Sequence, residues 1–368
     1  MTTFSIYAAH RPVGQLKSYP KTISAYAAHQ PGGQLEPFTY EVGELAPEEV
    51  EVKVDYCGLC HSDLSMLNND WEITEYPLVP GHEVIGIVAA VGTGVTTLEP
   101  GQRVGIGWNG ETCGTCEYCQ VGDENLCGEA QPLIMRPPGN GGAQEPGIPN
   151  GGFASHVRAH QNFVFPIPEV LASEAAGPLL CGGATVFNAI VQAGVKPTDR
   201  VGVIGLGGLG HMAVEFLVAW GCEVTVFSSS PAKAVKAKEL GATDCVNSRD
   251  GAALAVLADK FNFIFSTVNV ELPWSLYLGA LHKKGQLLLV GVAPGLNLGL
   301  EDVFELMMGQ KSIGSSPDCS PSNITQMLNF AAQHNIQPEV EVLPLVQVNA
   351  AIAKLRNEKP AGRIVLRV

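Results

Sequence analysis

Two short stretches hold side chains that could do metal chemistry. One reads Cys57-Gly-Leu-Cys60-His61-Ser62-Asp63 and the other Pro80-Gly81-His82-Glu83. Thiol, imidazole and carboxylate are the groups a borderline-soft cation such as zinc prefers. A catalytic zinc takes three protein ligands and keeps one position open, so a third ligand has to come from elsewhere. Either Cys57 or Cys60 could supply the sulfur; the residues alone do not choose.

Further on, Cys113-Gly-Thr-Cys116-Glu-Tyr-Cys119 and Cys127 are spaced C-x2-C-x2-C-x7-C. Four thiolates at such intervals close around one zinc and leave no room for water, which marks a structural site. A third group reads Val201-Gly-Val-Ile-Gly205-Leu-Gly207-Gly208-Leu209-Gly210. Leu209, Met212, Ala213, Phe216, Leu217 and Trp220 then recur on one helical face. Strand, glycine turn and helix are the context in which G-x-G-x-x-G seats a dinucleotide pyrophosphate on a helix N-terminus.

An acid that would bind the ribose hydroxyls of NAD is missing from the end of the next strand. There the chain reads Val226-Phe227-Ser228-Ser229-Ser230-Pro231, followed by Lys233. Hydroxyls at a helix start with a lysine nearby suit a 2′-phosphate, so NADP(H) is expected. Ser230 before Pro231 is also ordinary helix-capping grammar, and both roles are compatible.

Placing these groups requires two kinds of element. Val50 to Tyr56 alternates apolar and charged residues as a half-buried strand does, and delivers Cys57 and Cys60 to its end. Further strands are expected at Val84 to Val91 and Arg103 to Trp108, with glycine and proline turns between, as in a small β-barrel. After Val201 the strands are expected at Glu223 to Phe227, Asp244 to Asn247, Phe261 to Ser266 and Gln286 to Val292. Helices at Ala232 to Leu240, Ala252 to Asp259 and Pro273 to His282 alternate with them, giving a doubly wound parallel sheet. Helices near Ile324 to His334 and Val348 to Asn357 precede a last strand, Arg363 to Val368, expected to return to the first domain. Residues 129 to 152 are dense in proline and glycine and read as a loop. Near the N-terminus, Ser5 to Leu16 is echoed by Ser24 to Leu35, which leaves residues 1–23 as an added extension.

Lys plus Arg number 22 against 36 Asp plus Glu, a net charge of −14. That balance repels phosphate backbones and anionic bilayers, so neither nucleic acid nor membrane is an expected partner. No apolar run is long enough to span a bilayer, and ten cysteines without a secretory signal fit a reducing, cytoplasmic compartment.

Taken together, these motifs resemble the zinc-dependent medium-chain alcohol dehydrogenases, within them the cinnamyl-alcohol-dehydrogenase type of NADPH aldehyde reductase. Pro178-Leu-Leu-Cys181-Gly-Gly completes the set, and the likeness runs from about Ser24 to the C-terminus. It implies an α/β chain: a GroES-like β-barrel catalytic domain from 24–175 and 314–368, and a Rossmann domain at 176–313. It also implies two zinc ions per chain, with Cys60, His82 and Cys181 on the catalytic one and Cys57 left as a buried thiol. Glu83 would stand behind the metal, Asp63 would fix the His82 tautomer, Ser62 would relay a proton and His61 would lie near the pyrophosphate. Thr267 and Val292 join Gly205, Gly207, Gly208, Leu209, Gly210, Ser228, Ser229, Ser230 and Lys233 as expected cofactor contacts. Many relatives end the proton relay at a histidine; the matching position here is Ser65. Trp71 and Trp108 either line an apolar pocket for aromatic or medium aliphatic aldehydes or are ordinary core aromatics. A homodimer joined near the edge of the nucleotide sheet is expected, with a small aldehyde or alcohol as substrate.

Overall fold

The computed structural model describes residues 22–135, 150–292, 295–316, 318–357 and 362–368. Most of the expected extension, and with it the first copy of the repeat, lies outside these residues. The second copy starts on the strand Thr22–Ala27, which pairs antiparallel with Glu36–Glu41.

One sheet is organised about the long strand Glu49–Leu59. From Val50 to Gly58 it pairs with Glu83–Val91; His156–His160 joins its first half and Arg363–Arg367 its second. Register shifts at Glu51/Val52 and Val54/Tyr56 bend it, and such bulges let one strand serve two neighbours around a barrel. The simple alternation expected over Val50 to Tyr56 fails at Glu51, which is fully buried. Opposite it in register stands Arg158, whose guanidinium bonds the Glu51 carboxylate at 2.7 and 2.8 Å. Both nitrogens meet the same oxygen, Oε2, and a carboxylate can sit inside when a guanidinium pairs with it in this way.

The other sheet has six parallel strands. Their order is Asp244–Asn247, Glu223–Ser228, Arg200–Ile204, Phe261–Ser266, Leu281–Leu289 and Ser312–Ser315. This is the 3-2-1-4-5-6 arrangement that binds dinucleotides where the order reverses. The outermost strand is Ser312–Ser315, so the expected Gln286 to Val292 strand, which ends at Leu289, lies one place in from that edge. The boundary expected at 314 cuts through this edge strand. The helix Pro321–His334 also packs with the nucleotide half, where Phe330 stacks on Phe216 at 5.9 Å and lies 5.4 Å from Trp220. The chain thus returns to the barrel only at Val340–Pro344, which pairs with Arg363–Arg367.

Three expected elements are shorter. The strand from Arg103 ends at Ile106 and leaves Trp108 outside it; the helices at Gly251–Ala255 and Trp274–Ala280 stop early. Within the expected 129 to 152 loop, Gln131–Pro132 forms a strand and Leu133–Met135 a tight turn. Leu133 and Ile134 are buried there, because apolar residues inside the proline-rich run still find the core. The rest of that loop, 136–149, lies outside the described residues. No single described helix is long and apolar enough to cross a membrane; the bent pair Ser173–Leu180 and Gly182–Gln192 has the composition, but its residues are mostly interior.

Candidate metal and dinucleotide site

Cys60 leaves the end of the long strand as the N-cap of the helix His61–Asn68. Cys181 likewise precedes the helix Gly182–Gln192. A helix N-terminus favours the thiolate over the thiol, so both sulfurs stand where the backbone favours the deprotonated form that ligates a metal. His82 follows Gly81, whose φ of 104° is a conformation that side chains rarely adopt. A Cβ there would also strike the Cys57 sulfur and Phe153, each at 2.8 Å.

These elements converge. The sulfurs of Cys60 and Cys181 are 3.7 Å apart and His82 Nε2 is 3.3 Å from the Cys181 sulfur. Ligand atoms of Cys60, His82, Cys181 and Glu83 all fall within 4.8 Å of one another. Two sulfurs about 2.3 Å from a tetrahedral zinc stand about 3.8 Å apart, whereas a disulfide needs about 2.0 Å. The donor set therefore fits zinc. A hydrogen bond from the Cys181 thiol holds the Cys60 thiol well below its usual range, against burial, and the same bond raises Cys181. Cys60 is thus the readier thiolate, and metal binding at the pair displaces the proton that Cys181 holds. Cys57, fully buried in the barrel core, has its thiol pushed well up by burial and stands outside the group.

Asp63 organises this constellation. Its carboxylate accepts hydrogen bonds from the backbone amides of Cys60 and Gly81, both at 2.9 Å, and lies 3.0 Å from His82 Nδ1. That contact turns Nε2 towards the sulfurs. Burial opposes charging of His82, but the Asp63 charge and hydrogen bond, aided by Cys60, hold the imidazole well above its ordinary value.

Glu83 is fully buried behind His82 and bonds through Oε1 to Arg363, while Oε2 has no partner among the described residues. Burial pushes its carboxyl up to about 7 against the charge of Arg363. Ser62 Oγ lies 3.8 Å from the Cys60 sulfur, and His61 is exposed at the helix start. The edge of the His82 ring meets Trp108 at 5.0 Å, and Trp71 meets Trp108 at 6.1 Å. Both tryptophans are half-buried beside the small apolar cluster of Met66, Leu78 and Ile134, so they form one aromatic wall next to the imidazole.

In the cysteine lobe the four sulfurs of Cys113, Cys116, Cys119 and Cys127 also lie within 4.8 Å of one another. Cys113 is 4.0 Å from Cys119 and 3.6 Å from Cys127, again spacings for a shared tetrahedral ion. The amides of Thr115 and Cys116 bring the Cys113 thiol down to about 6.

At the glycine turn, Gly205 has φ of 92° and a Cβ on Gly210 would meet the Gly205 carbonyl oxygen at 2.2 Å, so the helix Gly208–Trp220 sits close on the turn. Around Gly207 a Cβ would meet nothing, which leaves open space before the helix N-terminus for a pyrophosphate. Leu209 is half-buried in that helix's first turn, and Thr267 ties the neighbouring strand end to it by donating to the Ile204 carbonyl at 2.8 Å. Val292 is largely exposed beyond the fifth strand. Ser228 ends the second strand, its hydroxyl accepting the Ser230 amide at 3.3 Å. Ser229 is exposed, and Ser230 occupies the N-cap of Pro231–Glu239 without a side-chain capping bond, so the capping alternative is not used. Lys233 is in the first turn of that helix.

Sequence reasoning missed Arg363. It lies against Gly208, where an added Cβ would meet its Cδ at 2.9 Å, while its guanidinium holds Glu83. One cation thus touches both the carboxylate behind the metal ligands and the glycine turn. Its only sequence signal was its place at the start of a strand expected to return to the barrel.

Comparison with known proteins agrees with this geometry. Residues 46–169 match the alcohol dehydrogenase GroES-like domain and residues 208–333 the zinc-binding dehydrogenase domain, together more than half of the chain. Aldehyde reductase AdhA of Synechocystis sp. is 48% identical over 331 residues, covering 90% of this chain and 94% of that protein. The solved cinnamyl alcohol dehydrogenase SbCAD4 of Sorghum bicolor superposes with a TM-score of 0.87 at 36% identity, over 94% of this chain and 98% of that one. A Helicobacter pylori cinnamyl alcohol dehydrogenase, solved with NADP(H), gives 0.85 at 28% identity over the same shares. With both halves matched and the likeness running along nearly its whole length, the chain belongs to the zinc-binding alcohol dehydrogenases, a family of oxidoreductases.

Proposed function

We propose that this chain reduces aldehydes to primary alcohols, reversibly, with NADPH as hydride donor and a zinc ion held by Cys60, His82 and Cys181. The observation that carries the reading is the convergence of those three ligands within 4.8 Å, in a chain whose second sheet carries the glycine turn of a dinucleotide site. When bound, zinc supplies a Lewis acid for the carbonyl oxygen and the nicotinamide supplies the hydride. A second zinc is assigned to the four-cysteine lobe.

The chain's own residues do the rest. Asp63 keeps the His82 imidazole in the orientation that presents Nε2. Trp108 and Trp71 give the substrate an apolar wall and keep water from the reacting carbon. Ser62, beside the Cys60 sulfur, hands on the proton that the nascent alcohol needs. Ser65 lies one helical turn further on, so no imidazole ends this relay and its proton is drawn directly from water. Arg363 sets a positive charge over the glycine turn, where the pyrophosphate would lie, and His61 is assigned to the same end of the cofactor.

NADPH is favoured by what the second strand ends in. Ser228 replaces the acid that would repel a 2′-phosphate, the Ser230 hydroxyl is not spent on a capping bond, and Lys233 follows. Initial rates with benzaldehyde test this: kcat/KM is expected to be at least about tenfold higher with NADPH than with NADH, and Ser228→Asp to reverse the order. Equal use of both cofactors, or preference for NADH in the unsubstituted chain, would overturn the assignment.

A homodimer is assigned to the free edge of the nucleotide sheet. Ser312–Ser315 is that edge, and the adjoining helix Leu300–Gly309 exposes Leu300, Phe304, Met307 and Met308, an apolar set that a second copy would cover. Sedimentation at the mass of one chain would contradict it. The ten free cysteines, gathered for metal or packing, suit the reducing cytoplasm.

A further inference from the structure

A glycine turn that receives a pyrophosphate has to keep one shape, and the residue types in this one do little to impose it. Gly207 is exposed and occupies the N-cap of the helix Gly208–Trp220, where it has no side chain to cap with. A Cβ on it would meet none of the described residues, so packing does not fix it either. Glycine also has the widest choice of backbone conformations.

Two side chains bond the turn from its two ends. Thr267 donates to the Ile204 carbonyl before it, at 2.8 Å. After it, His211 Nδ1 lies 2.8 Å from the Gly207 carbonyl oxygen, which also accepts the His211 amide at 2.9 Å. A carbonyl only accepts, so Nδ1 carries the proton, and one residue meets both lone pairs of that oxygen. The Gly207–Gly208 peptide is thereby held with its oxygen turned along the helix. In a trans peptide the N–H points the opposite way, so the Gly208 N–H faces the open side of the helix start, where a pyrophosphate would lie. The His211 ring lines a groove with Lys236 and Glu339. Burial holds its imidazole below the ordinary value, against the Gly207 bond, and Lys236 and Lys233 add to this. A neutral ring acts through its hydrogen bond, not through charge.

We propose that His211 is a positioning residue for the dinucleotide: by holding the Gly207–Gly208 peptide, its side chain keeps the turn in the shape that a pyrophosphate binds. This rests on the nucleotide-binding part of the function proposed above. A turn that visits other shapes binds more weakly in proportion to the time it spends outside the competent one. Loss of one tether with the strength of an ordinary hydrogen bond corresponds to a factor of about three to ten in affinity.

The test titrates the zinc-loaded full chain and its His211→Ala, His211→Asn and His211→Gln variants with ADP and with NADPH by calorimetry, and measures kcat for benzaldehyde at saturating NADPH. His211→Ala is expected to raise Kd for both nucleotides about three- to tenfold and to leave kcat within about twofold. Alanine forms helix better than histidine, so this loss cannot come from a weaker helix. His211→Asn, whose Nδ2 stands where Nδ1 does, should recover most of the affinity, whereas His211→Gln, whose amide reaches one bond further, should not. If the alanine variant fails to fold, the contrast between asparagine and glutamine still reads the effect. Unchanged affinity in His211→Ala, asparagine no better than alanine or glutamine, or a fall in kcat with affinity intact would each overturn the proposal. Failure of the reductase reading looks different: ADP would bind and respond to these substitutions while benzaldehyde is not reduced. An unsubstituted chain that binds neither nucleotide would overturn both.

Discussion

Asp63 shows how much of a metal site is arranged by a residue that need not touch the metal. Three groups meet its carboxylate, the amides of Cys60 and Gly81 and the His82 ring, so it fixes the positions of two ligands together. Asp63→Asn keeps the volume but has only one carbonyl oxygen to meet them. Zinc affinity and kcat/KM are expected to fall about 10- to 100-fold with the fold intact, measured by competition with a zinc chelator and by circular dichroism. A variant that binds zinc unchanged would show that Asp63 merely packs. At this scale the sequence was partly legible. Ligand types and spacings announced both metal sites, but Cys57 and Cys60 are chemically equal in a string of letters. Only the fold separates them, turning Cys57 into the barrel core and setting Cys60 at a helix start.

The long strand Glu49–Leu59 illustrates what an element adds. Gly58 pairs with Glu83 in register, and a Cβ on Gly58 would meet Glu83 Oε2 at 1.9 Å. Gly58→Ala must therefore push the Glu83 carboxylate from its place beside Arg363. Overpacking of this kind costs about 1–3 kcal/mol, so a lowered Tm is expected together with a loss of turnover larger than the loss of stability explains. Unchanged kcat would mean that the Glu83 position is immaterial. Periodicity made this strand visible, but it could not reveal that Glu51 faces inward, since the guanidinium that permits it comes from Arg158. Pairing across the sheet, not local pattern, decides such cases. The glycine turn was easier to read, because its residues act on one another within a few positions.

Across the whole molecule, the segment from Val340 to the C-terminus ties the halves together. Arg363 holds Glu83 of the barrel and lies on Gly208 of the nucleotide unit. Nearby, Lys236 of the helix Pro231–Glu239 bonds Glu339 at 2.5 Å, and the Glu339 carbonyl accepts the Arg363 amide at 2.8 Å. Glu339 is largely exposed, so this ion pair contributes geometry more than stability. None of these contacts was legible beforehand: each joins residues far apart in sequence, and Arg363 carries no motif. Element order and the parallel sheet were legible because alternating strand and helix patterns leave few topologies. The domain limit was not, since Ser312–Ser315 and Pro321–His334 have nothing in their composition to say which half they join.

The central claim is that hydride reduction depends on a zinc held by Cys60, His82 and Cys181. It is tested most directly by measuring zinc content and NADPH-dependent benzaldehyde reduction on the same preparations of the unsubstituted chain and Cys60→Ser. The account predicts a drop from two zinc ions per chain to one, the cysteine lobe keeping its own, with turnover lost by about a thousandfold or more. Retained turnover in Cys60→Ser, or two zinc ions still bound with normal rates, would contradict it.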